Sequence, residues 1–167
     1  MVSDEVSNLQ AVLKYCFEFS ETKLIDSGEF YPFAAVVKKD GTFEAIGLSN
    51  GEEHPSPAEL YSMGESVLRR RASSREIIAA ALAVNVNIPV VYSPTYPDGV
   101  RVALESQQYS RFVYRPYRIG HRGFFKKKRV VEFSEMIPVG TPASFFFWLE
   151  LILSVVAAQT VVDARLT

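Results

Sequence analysis

The chain is poor in the residues that build metal and disulfide sites. Its 167 residues include one cysteine, Cys16, and two histidines, His54 and His121. A single cysteine excludes an intrachain disulfide framework and a multi-cysteine metal site. Glycine-rich phosphate loops and the Gly-x-Ser-x-Gly nucleophile motif are also missing. We therefore expect no cofactor, no metal and no catalytic residue, and we predict that the protein is not an enzyme.

A zinc deaminase is the one metalloenzyme class that the early residues superficially suggest. Deaminases of that class combine His-x-Glu with a later Pro-Cys-x-x-Cys, which together hold zinc beside the general acid/base. Here four residues separate His54 from Glu59, and no cysteine follows them. Glu59 also has a structural interpretation, as the partner of Ser56 in a helix capping box. The spacing therefore argues against a zinc site.

The small net charge conceals an uneven distribution. The chain has 18 Lys and Arg and 19 Asp and Glu, a formal net charge of −1. Residues 1–60 contain 4 basic and 11 acidic residues, whereas residues 111–129 contain 8 basic residues and no acidic one. This asymmetry indicates either two complementary surfaces or an anionic partner.

The basic segment interleaves cations with aromatic rings. This combination suits nucleic acid, because cations neutralise phosphates while rings stack on bases. The competing interpretation is a strand, a loop and a strand whose rings face the core. Alternation favours this interpretation, since Phe112 and Tyr114 share one face of the strand. Arg111, Val113 and Arg115 share the other face. The candidate binding residues are Arg111, Arg115, Arg118, Arg122, Lys126, Lys127, Lys128 and Arg129.

The first half of the chain predicts a helix followed by a hairpin. Apolar residues in 4–20 recur at helical spacing, with Cys16 on the apolar side as a small buried hydrophobe. Asp40-Gly41 stands between two apolar runs, which predicts a type I′ turn. The two strands of the hairpin are expected at 31–38 and 42–48.

The second half predicts another helix and then a meander of strands. Ser56 and Pro57 begin the helix, because serine is a favoured N-cap and proline suits the first helical position. Residues 77–92 are ambiguous between helix and strand. Residues 84–88 alternate with period two, and extending that alternation backwards favours a strand, with small alanines against a crossing helix. We expect a loop at 118–123, and further strands at about 100–105, 111–115 and 129–133.

Short connections make an antiparallel sheet the natural solution for these elements. We predict an α+β fold with about five strands, in the order helix, hairpin, helix, meander, with helices covering one face of the sheet. A single domain is expected at 1–142, followed by an apolar C-terminal extension at 143–167. The N-terminus lacks a basic region before an apolar run, which predicts a cytoplasmic location.

The C-terminal extension is long and apolar enough to span a membrane. Residues 143–162 carry one charge, Glu150, and about twenty apolar residues are needed to span a bilayer. A carboxylate is costly in lipid. A buried helix, or one at an oligomer interface, is therefore the preferred interpretation, and membrane association is the alternative.

Several short stretches resemble an uncharacterised family of small bacterial α+β proteins. These stretches are residues 28–34, the Asp40-Gly41 turn, the helix opened by Ser56-Pro57, residues 100–105 and residues 114–118. The resemblance covers about residues 5–138 and implies a fold but no activity. The element order is also similar to that of profilin and roadblock proteins, in which helices sandwich a sheet used for binding and dimerisation.

The sequence therefore favours a non-enzymatic protein-interaction module. We expect a homodimer or a protein partner, and one specific form is a toxin-neutralising immunity protein. The alternative is a nucleic-acid-binding protein that uses residues 111–129. An enzyme with a dispersed site would need a cleft that holds His54 or His121 beside carboxylates.

Overall fold

The computed structural model of the chain describes residues 2–125 and 127–146. Within those ranges the chain forms two α-helices, seven strands and one short 3₁₀ turn. In chain order they are α1 (Val2–Ser27), β1 (Phe33–Lys38), β2 (Phe43–Gly47), α2 (Pro57–Ser73), β3 (Ile77–Asn87), the 3₁₀ turn (Val90–Tyr92), β4 (Asp98–Ser106), β5 (Tyr109–Arg122), β6 (Lys128–Phe133) and β7 (Ile137–Gly140).

The strands form one antiparallel sheet in the order β2-β1-β3-β4-β5-β6, with β7 also paired to β5. The predicted α+β class and antiparallel sheet are confirmed. The predicted number of about five strands is wrong, because the sheet has seven. The six strand positions expected from the sequence correspond to β1 to β6, and the strand not foreseen is β7, a four-residue edge strand that contains Pro138. Proline has no N–H to donate to a β-ladder, so a run that contains it is a weak strand signal in the sequence. Proline is nevertheless tolerated in an edge strand.

Each face of the sheet is covered by its own helix. On β3, Ala79, Ala81 and Ala83 pack in the core cluster under α1, while Ala80 and Leu82 pack in the cluster under α2. The expectation that both helices cover one face is therefore wrong. A central strand with small residues on both sides allows close packing from two directions. The prediction of a strand with alanines against a crossing helix is confirmed.

Helix α1 buries one stripe against the sheet. Leu9, Val12, Cys16 and Leu24 are all buried, at the three- and four-residue spacing of a helical face. Cys16 is the small buried hydrophobe that the sequence predicts, and its burial raises the pKa of the thiol. The thiol is therefore kept from acting as a surface nucleophile.

The Asp40-Gly41 turn joins β1 and β2 as predicted, but not as a type I′ turn. Gly41 has φ of +83°, whereas a type I′ turn needs positive φ at both central residues. The Lys38 N–H donates to the Thr42 carbonyl at 2.8 Å, which closes a three-residue loop. The Asp40 carboxylate accepts the Thr42 N–H at 2.9 Å. Glycine supplies the one left-handed position that this longer loop requires.

Helix α2 begins at Pro57 as predicted, but the predicted capping box is not formed. Ser56 occupies the N-cap position without a side-chain hydrogen bond to the helix. Proline at the first helical position has no N–H, so the first turn has one donor fewer that needs a cap. Glu59 instead contributes its charge in the first turn, where the helix dipole favours an acid.

The start of the C-terminal extension is held against the sheet by a buried carboxylate. Glu105 of β4 accepts the backbone N–H groups of Ser144 at 2.7 Å, Phe145 at 2.8 Å and Phe146 at 3.4 Å. Both phenylalanines are buried in the cluster under α2. Burial raises the pKa of Glu105, and the three backbone hydrogen bonds oppose that shift.

Most of the predicted apolar run, residues 147–162, lies outside the described residues. Among the residues that are described, no helix is long and apolar enough to cross a membrane.

An ion-pair cluster ties α2 to the edge of the sheet. Arg71, in the last turn of α2, donates two hydrogen bonds of 3.0 Å to the carboxylate of Glu44 on β2. Lys38 contacts the same carboxylate at 2.9 Å. The hydrogen bonds from Arg71 and then from Lys38 lower the pKa of Glu44 to about 2. A depressed carboxylate pKa means that ionised Glu44 stabilises the fold.

Replacing Glu44 by glutamine should therefore have a pH-dependent cost. Because the folded pKa of about 2 lies below the ordinary value of 4.5, the stabilisation is complete above the ordinary value and is lost as pH falls towards 2. The cluster is partly exposed, so we expect Glu44→Gln to lower the free energy of unfolding by about 1 kcal/mol at neutral pH. Urea unfolding of both proteins at pH 7, 5 and 3 should show the difference shrinking. A constant difference would contradict this account.

Candidate functional site

Strand β5 extends well beyond the body of the sheet. Its pairing with β4 ends at Pro116, opposite Gly99, yet the strand continues to Arg122. Beyond Pro116 it pairs with β6, from Tyr117 opposite Phe133 to Arg122 opposite Lys128. We call residues 117–133 the hairpin arm. The predicted loop at 118–123 is therefore wrong for 118–122, since β6 supplies ladder partners that keep these residues extended.

Two aromatic rings stand at the end of the hairpin arm. The turn begins at Gly123, which has φ of +112°. Phe124 and Phe125 follow, and each is 97% exposed. Their rings contact each other in an edge-on arrangement, with centroids 5.9 Å apart. Two adjacent, fully exposed phenylalanines on a protruding element suggest a contact with another molecule.

Cations flank these rings along the chain. Arg122 and Lys128 form the last rung of the arm, and Lys127 lies beside them, all three exposed. Lys126, also predicted as a binding residue, lies outside the described residues. We call residues 122–125 together with Lys127 and Lys128 the arm tip. Its described residues combine two apolar rings with three positive charges.

Arg118 is occupied within the arm itself. Its Nη2 lies 2.6 Å from the Glu132 carboxylate, and its guanidinium stacks 5.2 Å from the ring centroid of Tyr96. The Tyr96 hydroxyl donates to the other Glu132 oxygen at 2.7 Å. Hydrogen bonds from Tyr96 and then from Arg118 lower the pKa of Glu132. This triad neutralises Arg118 and fastens the loop before β4 to the base of the arm.

Three other predicted binding residues make contacts within the fold. The Arg115 guanidinium stacks 4.4 Å from the Phe133 ring centroid, and that of Arg111 stacks 5.6 Å from Tyr109. Arg129 donates to the Asp26 carbonyl at 2.8 Å, at the C-terminal end of α1. A cation is favoured there because the last carbonyls of a helix carry partial negative charge.

The structure therefore divides the eight predicted residues. Arg122, Lys127 and Lys128 lie together at the arm tip. Arg111, Arg115, Arg118 and Arg129 lie elsewhere on β5 and β6, and the last three contact other elements of the fold. The alternation inferred from the sequence is confirmed, since Tyr114 is buried and Phe112 packs on the cluster under α2. The basic segment is not one continuous surface for phosphates.

Two open clefts lie at the end of the sheet from which the arm projects. The first, the aromatic cleft, has a volume of about 550 Å³ and is lined mainly by Phe19, Phe30, Tyr31, Leu48 and Val84. The second, the polar cleft, has a volume of about 500 Å³ and is lined by Gly28, Glu29, Asn85, Tyr96, Pro97, Asp98, Tyr117, Arg118 and Ile119. Because Glu29 and Asn85 line both, the clefts adjoin.

The polar cleft follows one edge of the arm. Tyr117 and Ile119 belong to the β5 strand of the arm, while Asp98 begins β4 and Asn85 lies near the end of β3. The Tyr117 hydroxyl donates to the Asn85 side-chain oxygen at 2.8 Å. Glu29 and Asp98 are exposed carboxylates on this cleft, and the charge of Arg118 is balanced by Glu132. The lining of the polar cleft therefore carries two carboxylates and one ion-paired guanidinium, and the Arg129 side chain packs against Gly28 at its margin.

Neither cleft is lined by a histidine. His54 lies in the exposed loop before α2, and His121 lies on the arm opposite Arg129. Within the described part of the chain, no group of three or more His, Cys, Asp and Glu side chains could hold a metal ion. The clefts thus offer surfaces for binding, with Lys23, Glu29, Asp98 and Arg118 as their charged side chains.

No protein family, curated protein or solved structure matches the chain. The resemblances to the small bacterial family and to the profilin and roadblock element order stay predictions. The role of the site has to be argued from its own geometry.

Sequence reasoning missed the residues of the polar cleft because they are far apart in the chain. Glu29, Asn85, Asp98 and Tyr117 come from four different elements or loops. One available signal was the alternation after Pro116, where Tyr117 and Ile119 lie on one face and Arg118 and Arg122 on the other. Reading that alternation as a strand would have predicted the arm.

Proposed function

We propose that the protein is a non-enzymatic protein-interaction module that binds its partner through the arm tip. The observation that supports this most is the exposure of Phe124 and Phe125, 97% each, at the end of a two-stranded arm. Adjacent exposed rings suit insertion into an apolar depression of another molecule. A toxin-neutralising immunity protein is one form of such a module.

The favourable free energy of binding would come from burying the two phenylalanine rings. Transferring a phenylalanine side chain from water to an apolar environment is worth about 1.5–3 kcal/mol. Large aromatic anchors of this kind dominate the binding energy of protein interfaces, while surrounding charges add selectivity and speed of association. Arg122, Lys127 and Lys128 would complement acidic residues at the rim of the depression.

Nucleic acid binding is the second candidate, because the same tip places cations beside rings that could stack on bases. Arg115, Arg118 and Arg129 already contact other residues of the fold. This weakens the nucleic-acid candidate, because a nucleic acid would meet a short cationic tip instead of a long basic groove. Protein binding requires only the tip.

A photo-crosslinking phenylalanine analogue at position 125 should test the proposal in cells. We expect discrete, protease-sensitive adducts, because the tip ring would be buried against a polypeptide. Excess unlabelled wild-type protein should suppress the adducts at least about fivefold, whereas the Phe124→Ser/Phe125→Ser variant should not, since losing one or two buried rings costs more than 1.4 kcal/mol. Electrophoresis with mass spectrometry measures the adducts.

The same analogue at position 43 is the matched control. Phe43 is also partly exposed, but it packs against Tyr15 at 5.1 Å on the far edge of the sheet. Equal adducts from positions 43 and 125 would count against the proposal. Nuclease-sensitive adducts, together with salt-dependent heparin retention that the Lys126/Lys127/Lys128→Ala variant loses, would favour the nucleic-acid candidate instead.

A further inference from the structure

We propose that the arm tip binds a second copy of this chain, with the two hairpin arms lying side by side and antiparallel. Each tip would reach the polar cleft at the base of the other arm. This inference rests on the proposed protein-binding role of the arm tip and names its partner. Three independent features support it: an unpaired strand edge, a match of charge, and a match of apolar surfaces.

The first feature is the free edge of β5 along the arm. β4 pairs with β5 only as far as Pro116, and β6 occupies the opposite edge of β5 from Tyr117 to Arg122. Among the residues that the structure describes, no strand pairs with the remaining edge of that stretch. An unpaired row of backbone N–H and C=O groups is a template for a further strand.

Symmetry makes β5 of a second copy a suitable occupant. Two identical strands can pair antiparallel about a two-fold axis, so that each contributes the same surface. An axis near Gly120 would bring both arms together over residues 118–122. Gly120 is exposed, and its nearest non-neighbour atom to an added Cβ is the Val130 carbonyl at 3.9 Å. The face of the arm is thus uncrowded at the axis.

The length of the arm then places the tip at the cleft. Arg122, the last strand residue, lies four residues beyond Arg118, or roughly 13 Å along an extended strand, and the tip turn follows it. In the antiparallel arrangement, the tip of one arm therefore lies beyond Tyr117 of the other, at the start of β4. That is the position of the polar cleft, which Tyr117 and Asp98 line together.

The second and third features are chemical. The tip carries Lys127 and Lys128, and the polar cleft carries the exposed carboxylates of Glu29 and Asp98. Opposite charges at this contact disfavour the parallel register, which would place tip beside tip. The antiparallel register sets Arg122 opposite Arg118 of the second copy, but the Arg118 charge is already balanced by Glu132. The aromatic cleft adjoins the polar cleft and offers Phe30 and Tyr31 to the two phenylalanines of the tip.

Engineered cysteines can test the register. Gly120→Cys places two thiols at the expected two-fold axis, where the cross-strand Cα distance falls within the range that a disulfide spans. His121→Cys does so only if the axis lies one residue later. We expect disulfide-linked dimers under mild oxidation at one of these two positions and not at both. Ala45→Cys, exposed on the opposite edge strand β2, is the matched control and should stay unlinked. The native Cys16 is buried and does not interfere.

Charge reversal provides the second test. Light scattering should give the mass of a dimer for the wild type, and Lys127→Glu/Lys128→Glu should raise the dissociation constant about tenfold or more. Adding Glu29→Lys to that variant should restore at least part of the affinity, because the opposite charges meet again with their signs exchanged. A merely misfolded variant would not be rescued by a second surface substitution.

Several outcomes would overturn the inference. A monomeric mass for the wild type at all soluble concentrations would do so, as would equal linking at positions 45 and 120. Retention of monomers on phosphatidylserine vesicles or on oligonucleotides through the arm tip would assign it another partner. If the protein is monomeric but the tip crosslinks specifically to a different protein, self-pairing is wrong and the proposed interaction role stands.

Discussion

Glu105→Ala is expected to lower the free energy of unfolding by about 3 kcal/mol. The carboxylate is 1% exposed and accepts three successive backbone N–H groups, from Ser144, Phe145 and Phe146. Alanine would leave these donors without their acceptor in a buried environment, and each unsatisfied donor costs about 1–3 kcal/mol before any relaxation. Urea unfolding measures the loss.

The same substitution should release the segment that the carboxylate holds. Phe145 and Phe146 are buried in the cluster under α2, so chymotrypsin, which cuts after phenylalanine, should cleave Glu105→Ala there much faster than the wild type. Glu105→Gln is the matched control. It keeps one acceptor oxygen and the side-chain volume, so its loss of stability should be smaller. Equal stability of the wild type and the alanine variant would refute the anchoring role.

The second large effect is expected at Gly64, where α2 packs tightly against the sheet. A Cβ at this position would lie 2.8 Å from Leu82 Cδ1 and 2.9 Å from Leu48 Cδ1. Glycine normally weakens a helix by about 1 kcal/mol relative to alanine. Its use in the interior of α2 therefore reflects the close approach of the helix to the sheet and not a local preference.

Gly64→Leu should destabilise the protein by at least about 2 kcal/mol, because overpacking a filled core costs about 1–3 kcal/mol and larger shifts cost more. Leucine is a good helix former, so a loss cannot be attributed to helix propensity. Gly64→Ala separates the two effects: its gain in propensity should offset most of its smaller clash and leave stability nearly unchanged. Thermal unfolding of the three proteins gives the comparison. A leucine variant as stable as the wild type would show that α2 can move away freely.

The hairpin arm connects stability with the proposed function. Its base is fixed by contacts on both faces, by Arg129 at the end of α1 and by the triad of Arg118, Glu132 and Tyr96. Its tip lacks comparable support, with both rings 97% exposed. A rigid base reduces the backbone entropy lost when the tip is bound. Substitutions at the tip should therefore change binding with little effect on folding.

Local patterns were enough to predict the elements whose signal lies within a few residues. The Asp40-Gly41 turn, the start of α2 at Pro57 and the alternation of Phe112 and Tyr114 are examples. Each depends on the conformational freedom of one residue or on which face of one strand is buried. The sequence also predicted the concentration of positive charge in residues 111–129, and three cations of that segment are described at the arm tip.

Where patterns failed, the deciding contact joined distant parts of the chain. Gly120 and the preceding Pro116 suggest a break in β5, yet the ladder with β6 keeps the strand extended to Arg122. The role of Glu105 likewise depends on a segment about forty residues later.

By itself, then, the sequence determined the α+β class, the antiparallel hairpin, the buried thiol of Cys16 and the uneven charge. These properties follow from composition and from short-range periodicity. Only the tertiary structure decided that four of the basic residues lie away from the tip, that β5 outruns β4, and that Glu29 and Asp98 share one cleft. The reason is physical: which strand ends first, and which charges meet, depends on pairing between segments whose separation in the chain carries no local signal.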